Sequence, residues 1–143
     1  MARYVTQIES RLSQADAFAY MADFANACFW DPSVSEARRV GDGPIAAGST
    51  FQLVSRFAGR EVPLLYTLVA YEPVTRVVLE AQKPGFVSRD TITVEATEGG
   101  SVVHYDALLD LRGARRLFDP VLQRLFKKLG DAATQGMRTA LNP

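Results

Sequence analysis

Two periods divide this sequence, and their order decides most of what it can fold into. From residue 34 to residue 111 apolar and polar residues alternate, and from Asp119 onward the apolar ones recur at threes and fours. Period two is a strand with one buried face, while three-and-four spacing is an amphipathic helix. Strands are predicted over residues 2–12, 34–40, 50–57, 61–71, 76–81, 86–96 and 101–111. The connections are short: Ala58-Gly59, Glu72-Pro73 and Glu98-Gly99-Gly100 each join two of these runs. Turns that tight join antiparallel neighbours.

Helical signals flank this block. Ser13-Gln14-Ala15-Asp16 fits a capping box, with Ser13 as N-cap. Phe18, Met21, Ala22 and Ala25 follow at helical spacing, which predicts one short helix ending near Asp23 and a second turn of helix through Cys28. Trp30-Asp31-Pro32 stops it, because the residue before a proline is pushed out of the helical region. Asp119-Pro120 then opens a long helix running to about Leu141, with Val121, Leu122, Leu125, Leu129, Ala132, Ala133, Gly136 and Ala140 as its apolar stripe. Glycine inside a helix costs about 1 kcal/mol against alanine, so Gly130 and Gly136 point to close approach or to empty space. The chain therefore reads as α+β: a curved seven-stranded antiparallel sheet wrapped around one long C-terminal helix, with two short helices after the first strand. One helix cannot fill the concave side of such a sheet, and a cavity between the two is expected.

Composition narrows the function classes. A length of 143 residues fits a single domain, here residues 1–143. Lys plus Arg equals Asp plus Glu at 16 each, so binding to nucleic acid driven by net positive charge is not expected. With one cysteine, Cys28, and one histidine, His104, neither an internal disulfide nor a Cys/His zinc site can be assembled, and no metal or cofactor is expected. His104 shares the outward parity of its strand with Asp106 and Asp110, which argues against a histidine-based triad. Gly41-Asp42-Gly43-Pro44-Ile45-Ala46 matches a dinucleotide fingerprint only in letters, since a strand and not a helix follows it. No apolar run approaches the roughly 20 residues of a membrane span, and the first residues read directly into a strand. A cytoplasmic location without stable membrane insertion is expected.

The order of elements, with Trp30-Asp31-Pro32 after the helical pair, resembles the START/birch-allergen-like superfamily, also called SRPBCC. Tyr66 with Tyr71-Glu72-Pro73, Asp90, the stretch from Gly100 to Tyr105, Leu111-Arg112-Gly113 and Asp119-Pro120 are similar to the polyketide cyclase/dehydrase and lipid-transport family within it. The resemblance spans essentially the whole chain. It implies the helix-grip fold and a hydrophobic ligand, and it places Trp30 near a cavity mouth. Members include polyketide aromatases and cyclases as well as lipid and sterol carriers.

Strand alternation nominates the polar residues of such a cavity. Phe86, Ser88, Asp90, Ile92 and Val94 share the apolar face of their strand, so Ser88 and Asp90 point inward. A buried carboxylate is costly and its pKa rises. Asp90 then either orients a ligand or acts as acid or base, or it is tied to backbone amides or an arginine. Tyr66 and Tyr105 lie on apolar faces, as does Tyr4; each offers a phenol on a flat apolar body, suited to ring-bearing ligands. Asp90 and Tyr105 are the candidate catalytic pair. Trp30, Phe51, Phe57, Phe86, Ala133 and Gly136, with Phe29 and Leu53, are expected to supply apolar lining. Six basic residues between Arg112 and Lys128, against one acid, Asp119, read either as a solvated face or as a surface for a membrane or an anionic ligand tail, the solvated face being preferred.

The expected partner is a small hydrophobic or aromatic molecule of lipid- or polyketide-like character, with a homodimer left open. Two alternatives stand beside this: a cyclase or aromatase-type enzyme using cavity Asp and Tyr groups as acid and base, and a protein-interaction or regulatory module with a filled cavity.

Overall fold

The computed structural model describes residues 1–113, 117 and 119–143. Its strands are β1 (Ala2–Ser10), β2 (Val34–Val40), β3 (Thr50–Phe57), β4 (Arg60–Glu72), β5 (Arg76–Lys83), β6 (Phe86–Thr97) and β7 (Gly100–Leu111). Helices α1 (Gln14–Ala22) and α2 (Ala27–Trp30), joined by a 3₁₀ turn over Phe24–Asn26, follow β1, and the long α3 (Asp119–Ala140) closes the chain. The seven strands form one antiparallel sheet in the order β1-β7-β6-β5-β4-β3-β2, curled into a half-barrel around α3. This is the expected helix-grip architecture.

Local chemistry accounts for the elements. Ser13 caps α1, its hydroxyl accepting from the Asp16 N–H at 3.1 Å. Ala58 and Gly59 both take positive φ, 52° and 77°, which is the two-residue turn that matches strand twist. A register shift between Leu68 and Ala70 in β4 changes which parity faces inward. Leu64, Tyr66 and Leu68 are buried before it; after it Tyr71 turns onto Phe18 of α1, ring centroids 5.7 Å apart.

α3 packs chiefly on β1 and α2, and this placement decides where space is left. It lies along the outer edge of β1 and satisfies that edge with side-chain amides. Gln123 accepts from the Arg3 N–H and donates to the Arg3 carbonyl, both at 3.0 Å. Asn142, just beyond the helix, does the same for the Arg11 N–H and the Glu9 carbonyl. These contacts cap the two ends of the β1 edge and shorten the ladder it offers another chain. Gly136 rests on α2: a methyl group there would come within 1.9 Å of the Trp30 carbonyl oxygen.

The helical stripe is rotated from its expected position. Val121 is 67% exposed and Ala132 also faces solvent, whereas Leu122, Ala133, Thr134 and Met137 are buried. Three-and-four spacing merges residues on two adjoining faces of a helix, and contact with β1 selects one of them.

Candidate functional site

Between α3 and the concave face of the sheet lies a cavity of about 180 Å³. Its walls are apolar: Phe57, Val62, Leu64, Phe86, Ala107, Leu109 and Leu111 from the sheet, Phe126, Leu129, Ala133 and Met137 from α3. It exists because α3 holds to β1 and α2 and leaves β3 to β6 uncovered. Ala133, a small residue on the helix face, leaves room there.

The polar groups gather at the floor. Tyr66 and Ser88 share a hydrogen bond of 2.9 Å between their hydroxyls, and Tyr105 donates to Oδ2 of Asp90, also at 2.9 Å. Asp90 is 7% exposed and Ser88 8%. Burial pushes the Asp90 carboxyl up to about 7; the Tyr105 hydrogen bond opposes this, and the negative charge of Asp31 adds to it. Burial and the neighbouring carboxylates raise the Tyr66 and Tyr105 phenols as well, so both remain protonated donors. Trp30 stacks edge-on against Tyr105, ring centroids 5.4 Å apart, and its buried indole N–H meets no acceptor among the described residues.

Asp31 is the residue that sequence reasoning misses. It follows α2, lines the cavity, and accepts from the Ser33 N–H at 2.9 Å and the Ser33 hydroxyl at 2.8 Å. Burial raises its carboxyl too, partly offset by those two bonds. Asp-Pro reads as a helix stop, and nothing in the local pattern says which way the carboxylate turns. A smaller recess of about 50 Å³ is bordered by Trp30, Asp31, Tyr66, Asp90 and Tyr105 together with Phe24, Ser55 and apolar neighbours.

At the opposite end Tyr4 donates to Asp131 at 2.7 Å and sits 3.1 Å from the Thr134 hydroxyl. Gly130 lies against the Tyr4 ring, where a methyl group would come within 2.4 Å.

Of the residues nominated as lining, Trp30, Phe57, Tyr66, Phe86, Ser88, Asp90, Tyr105 and Ala133 border the cavity. Three nominated positions stand elsewhere. Phe51 is fully buried below the cavity floor, edge-on to Phe24 at 6.4 Å, and Phe29 is 74% exposed. Gly136 serves the contact with Trp30 and not the cavity. Leu53 borders the recess alone. The expected tie of Asp90 to backbone amides or an arginine is not found among the described residues, where its hydrogen-bond partner is Tyr105.

His104 faces outward, 3.8 Å from Glu95, as its parity predicts. Gly41 to Ala46 form an irregular loop running into β3, and no helix follows. In the basic segment Arg112, Arg124, Lys127 and Lys128 are exposed, and Lys127 pairs with Asp131 at 2.8 Å; Arg115 and Arg116 lie outside the described residues. Among those described, no three His, Cys, Asp or Glu side chains converge to hold a metal ion, and no helix is long and apolar enough to cross a membrane.

Comparison with known proteins agrees with this geometry. The family model for polyketide cyclase/dehydrase and lipid transport matches residues 1–142. A START superfamily protein from Mycobacterium smegmatis superposes with a TM-score of 0.80 at 9% identity, over 99% of this chain and 97% of that one. A Thermus thermophilus protein gives 0.76 at 14% identity, over 98% and 95%. The Zhui aromatase/cyclase of Streptomyces sp. R1128 gives 0.71 at 10% identity, over 98% and 92%. A search of curated proteins finds no match. Identities this low speak for the fold alone; the family match carries the assignment. The chain belongs to the polyketide cyclase/dehydrase and lipid-transport family.

Proposed function

We propose that this member of the polyketide cyclase/dehydrase and lipid-transport family binds a small, ring-bearing, mostly apolar molecule in the cavity between sheet and α3. The observation that carries the reading is the cavity itself: about 180 Å³ of space with apolar walls and a polar floor. For scale, an apolar cavity of about 150 Å³ holds a benzene molecule. The enclosed part therefore suits one or two fused rings better than an extended acyl chain. Space of this size also speaks against an interaction module with a filled core. Native mass spectrometry of freshly purified protein, with organic extraction of what it carries, tests the reading. An adduct of a few hundred daltons supports it. A bare mass, together with no uptake of added naphthalene, overturns it.

A second reading rests on Asp90. A carboxyl group near pH 7, hydrogen-bonded to Tyr105 and bordering the cavity, can take a proton from a carbon flanked by carbonyls and return it to an oxygen. The cavity would supply most of the rate gain by folding the substrate so that its reacting carbons meet. Under this reading Asp90→Asn abolishes turnover of a poly-keto substrate and leaves its binding within about threefold. Unchanged turnover in that variant removes Asp90 from the chemistry.

A further inference from the structure

The floor of the cavity is chemically lopsided. Trp30 is 2% exposed, and its N–H is a buried donor whose partner is missing among the described residues. Such a donor favours any ligand that brings an acceptor. Around the same recess stand two carboxyl groups, Asp31 and Asp90. Asp31 is held by Ser33, and Asp90 gives Oδ2 to Tyr105, while its other oxygen has no hydrogen bond among the described residues. None of the described residues lining the cavity or the recess is a lysine, arginine or histidine.

We infer that the recess selects the polar head of the ligand by charge, accepting a neutral hydroxyl group that takes the Trp30 N–H and donates to Asp90, and refusing a carboxylate. This rests on the ligand-binding reading above and names its selectivity. A hydroxyl satisfies both sides at once. A carboxylate satisfies Trp30 but lies against Asp90 and Asp31 in a water-poor space, where like charges repel most strongly. An ammonium group pairs with the carboxylates and has no lone pair for the indole N–H.

Few charged groups face Asp90. On β5 and β7 its register partners are Leu79 and Ala107, both apolar. Tyr66, Tyr105 and Asp31 are the titratable groups at the floor, with Asp106 on the outer face of β7 paired to Arg3. The cavity-facing residues of α3 are Phe126, Leu129, Gly130, Ala133 and Met137, none of them charged.

A matched set of naphthalenes tests the selection by isothermal titration calorimetry on the full chain: 2-naphthol, 2-naphthoate and 2-(aminomethyl)naphthalene, at pH 8 and pH 5.5. At pH 8 the naphthol is expected to bind at least tenfold tighter than the naphthoate and at least fivefold tighter than the amine. At pH 5.5, with Asp90 protonated, the gap to naphthoate should narrow at least threefold, and in Asp90→Asn it should be that narrow already at pH 8. Trp30→Phe should weaken the naphthol several-fold; should that variant fold poorly, Asp90→Asn still decides. Naphthoate binding as tightly as naphthol at pH 8 overturns the charge selection and leaves the cavity reading standing. Failure of all three, and of naphthalene itself, overturns both.

Discussion

The Tyr105 hydroxyl donates to Asp90 diagonally across neighbouring strands, from a position opposite Ile92 to one opposite Ala107. Both side chains rise on the concave face because they share one parity in the paired register. The bond holds part of the Asp90 population ionised against burial, so the pair sets the charge of the cavity floor near neutral pH.

Removing that bond should therefore raise the Asp90 pKa above about 7. A hydrogen bond to a charged group contributes about 1.5–3 kcal/mol, and 1.36 kcal/mol corresponds to about one pH unit. Tyr105→Phe is expected to move the Asp90 carboxyl titration up by about one pH unit or more, read by carboxyl-carbon NMR. A titration that stays in place or falls would show that Tyr105 does not stabilise the ionised form.

Stability should fall as pH rises through the same range. The folded-state pKa of Asp90 lies near 7 and the ordinary value is 3.8, so the folded chain holds its proton where the unfolded chain has lost it. The contribution is greatest below pH 4, declines between about 4 and 7, and is constant above. The slope reaches about 1.4 kcal/mol for each pH unit, and Asp31, raised for the same reason, adds in the same sense. Asp90→Asn should flatten the dependence of Tm between pH 5 and pH 8. An undiminished slope in that variant would assign the effect to other groups.

Gly136→Ala should destabilise the protein although alanine is the better helix former by about 1 kcal/mol. The new methyl group meets the Trp30 carbonyl oxygen at 1.9 Å and its carbon at 2.8 Å, which is backbone and cannot rotate aside. Overpacking of this kind costs about 1–3 kcal/mol or more, so α2 and α3 must part. A fall in Tm of at least about 5 °C is expected by calorimetry. A rise would mean that α2 moves without cost.

Ala133→Leu should do the reverse: little harm to stability and much to binding. The side chain lines the cavity, so added methylenes enter space and not packed atoms. Affinity for 2-naphthol is expected to fall at least tenfold while Tm moves by less than about 3 °C. Unchanged affinity would place the ligand away from α3.

How much of this is legible in the sequence depends on what periodicity reports. Alternation names a face, and on β6 it puts Ser88 and Asp90 on the correct one. It does not name depth, so Phe51, on the inward face of β3, reads as lining although it lies beneath the floor against Phe24. In a helix of four residues there is too little repeat to fix a face, and Phe29 is exposed. Gly136 signals close approach or empty space with equal force; only the position of Trp30 decides between them. Asp31 lies beyond any repeat. Its orientation follows from the turn at Pro32 and from Ser33, which are matters of tertiary geometry.

The pairing of β1 with β7 has a consequence for how the chain is made. Ala2 lies opposite Leu109 and Ser10 opposite Ser101, so during synthesis the first strand of this sheet waits for its last. At about 5–20 residues per second that delay is on the order of 5–20 s. Through it β1 has no ladder partner, and α3, whose Gln123 covers the outer edge of β1, has not been synthesised. The two walls of the cavity thus meet only once α3 has been synthesised. Topology of this kind also makes for slow refolding, since pairs distant in sequence must close before they stabilise one another.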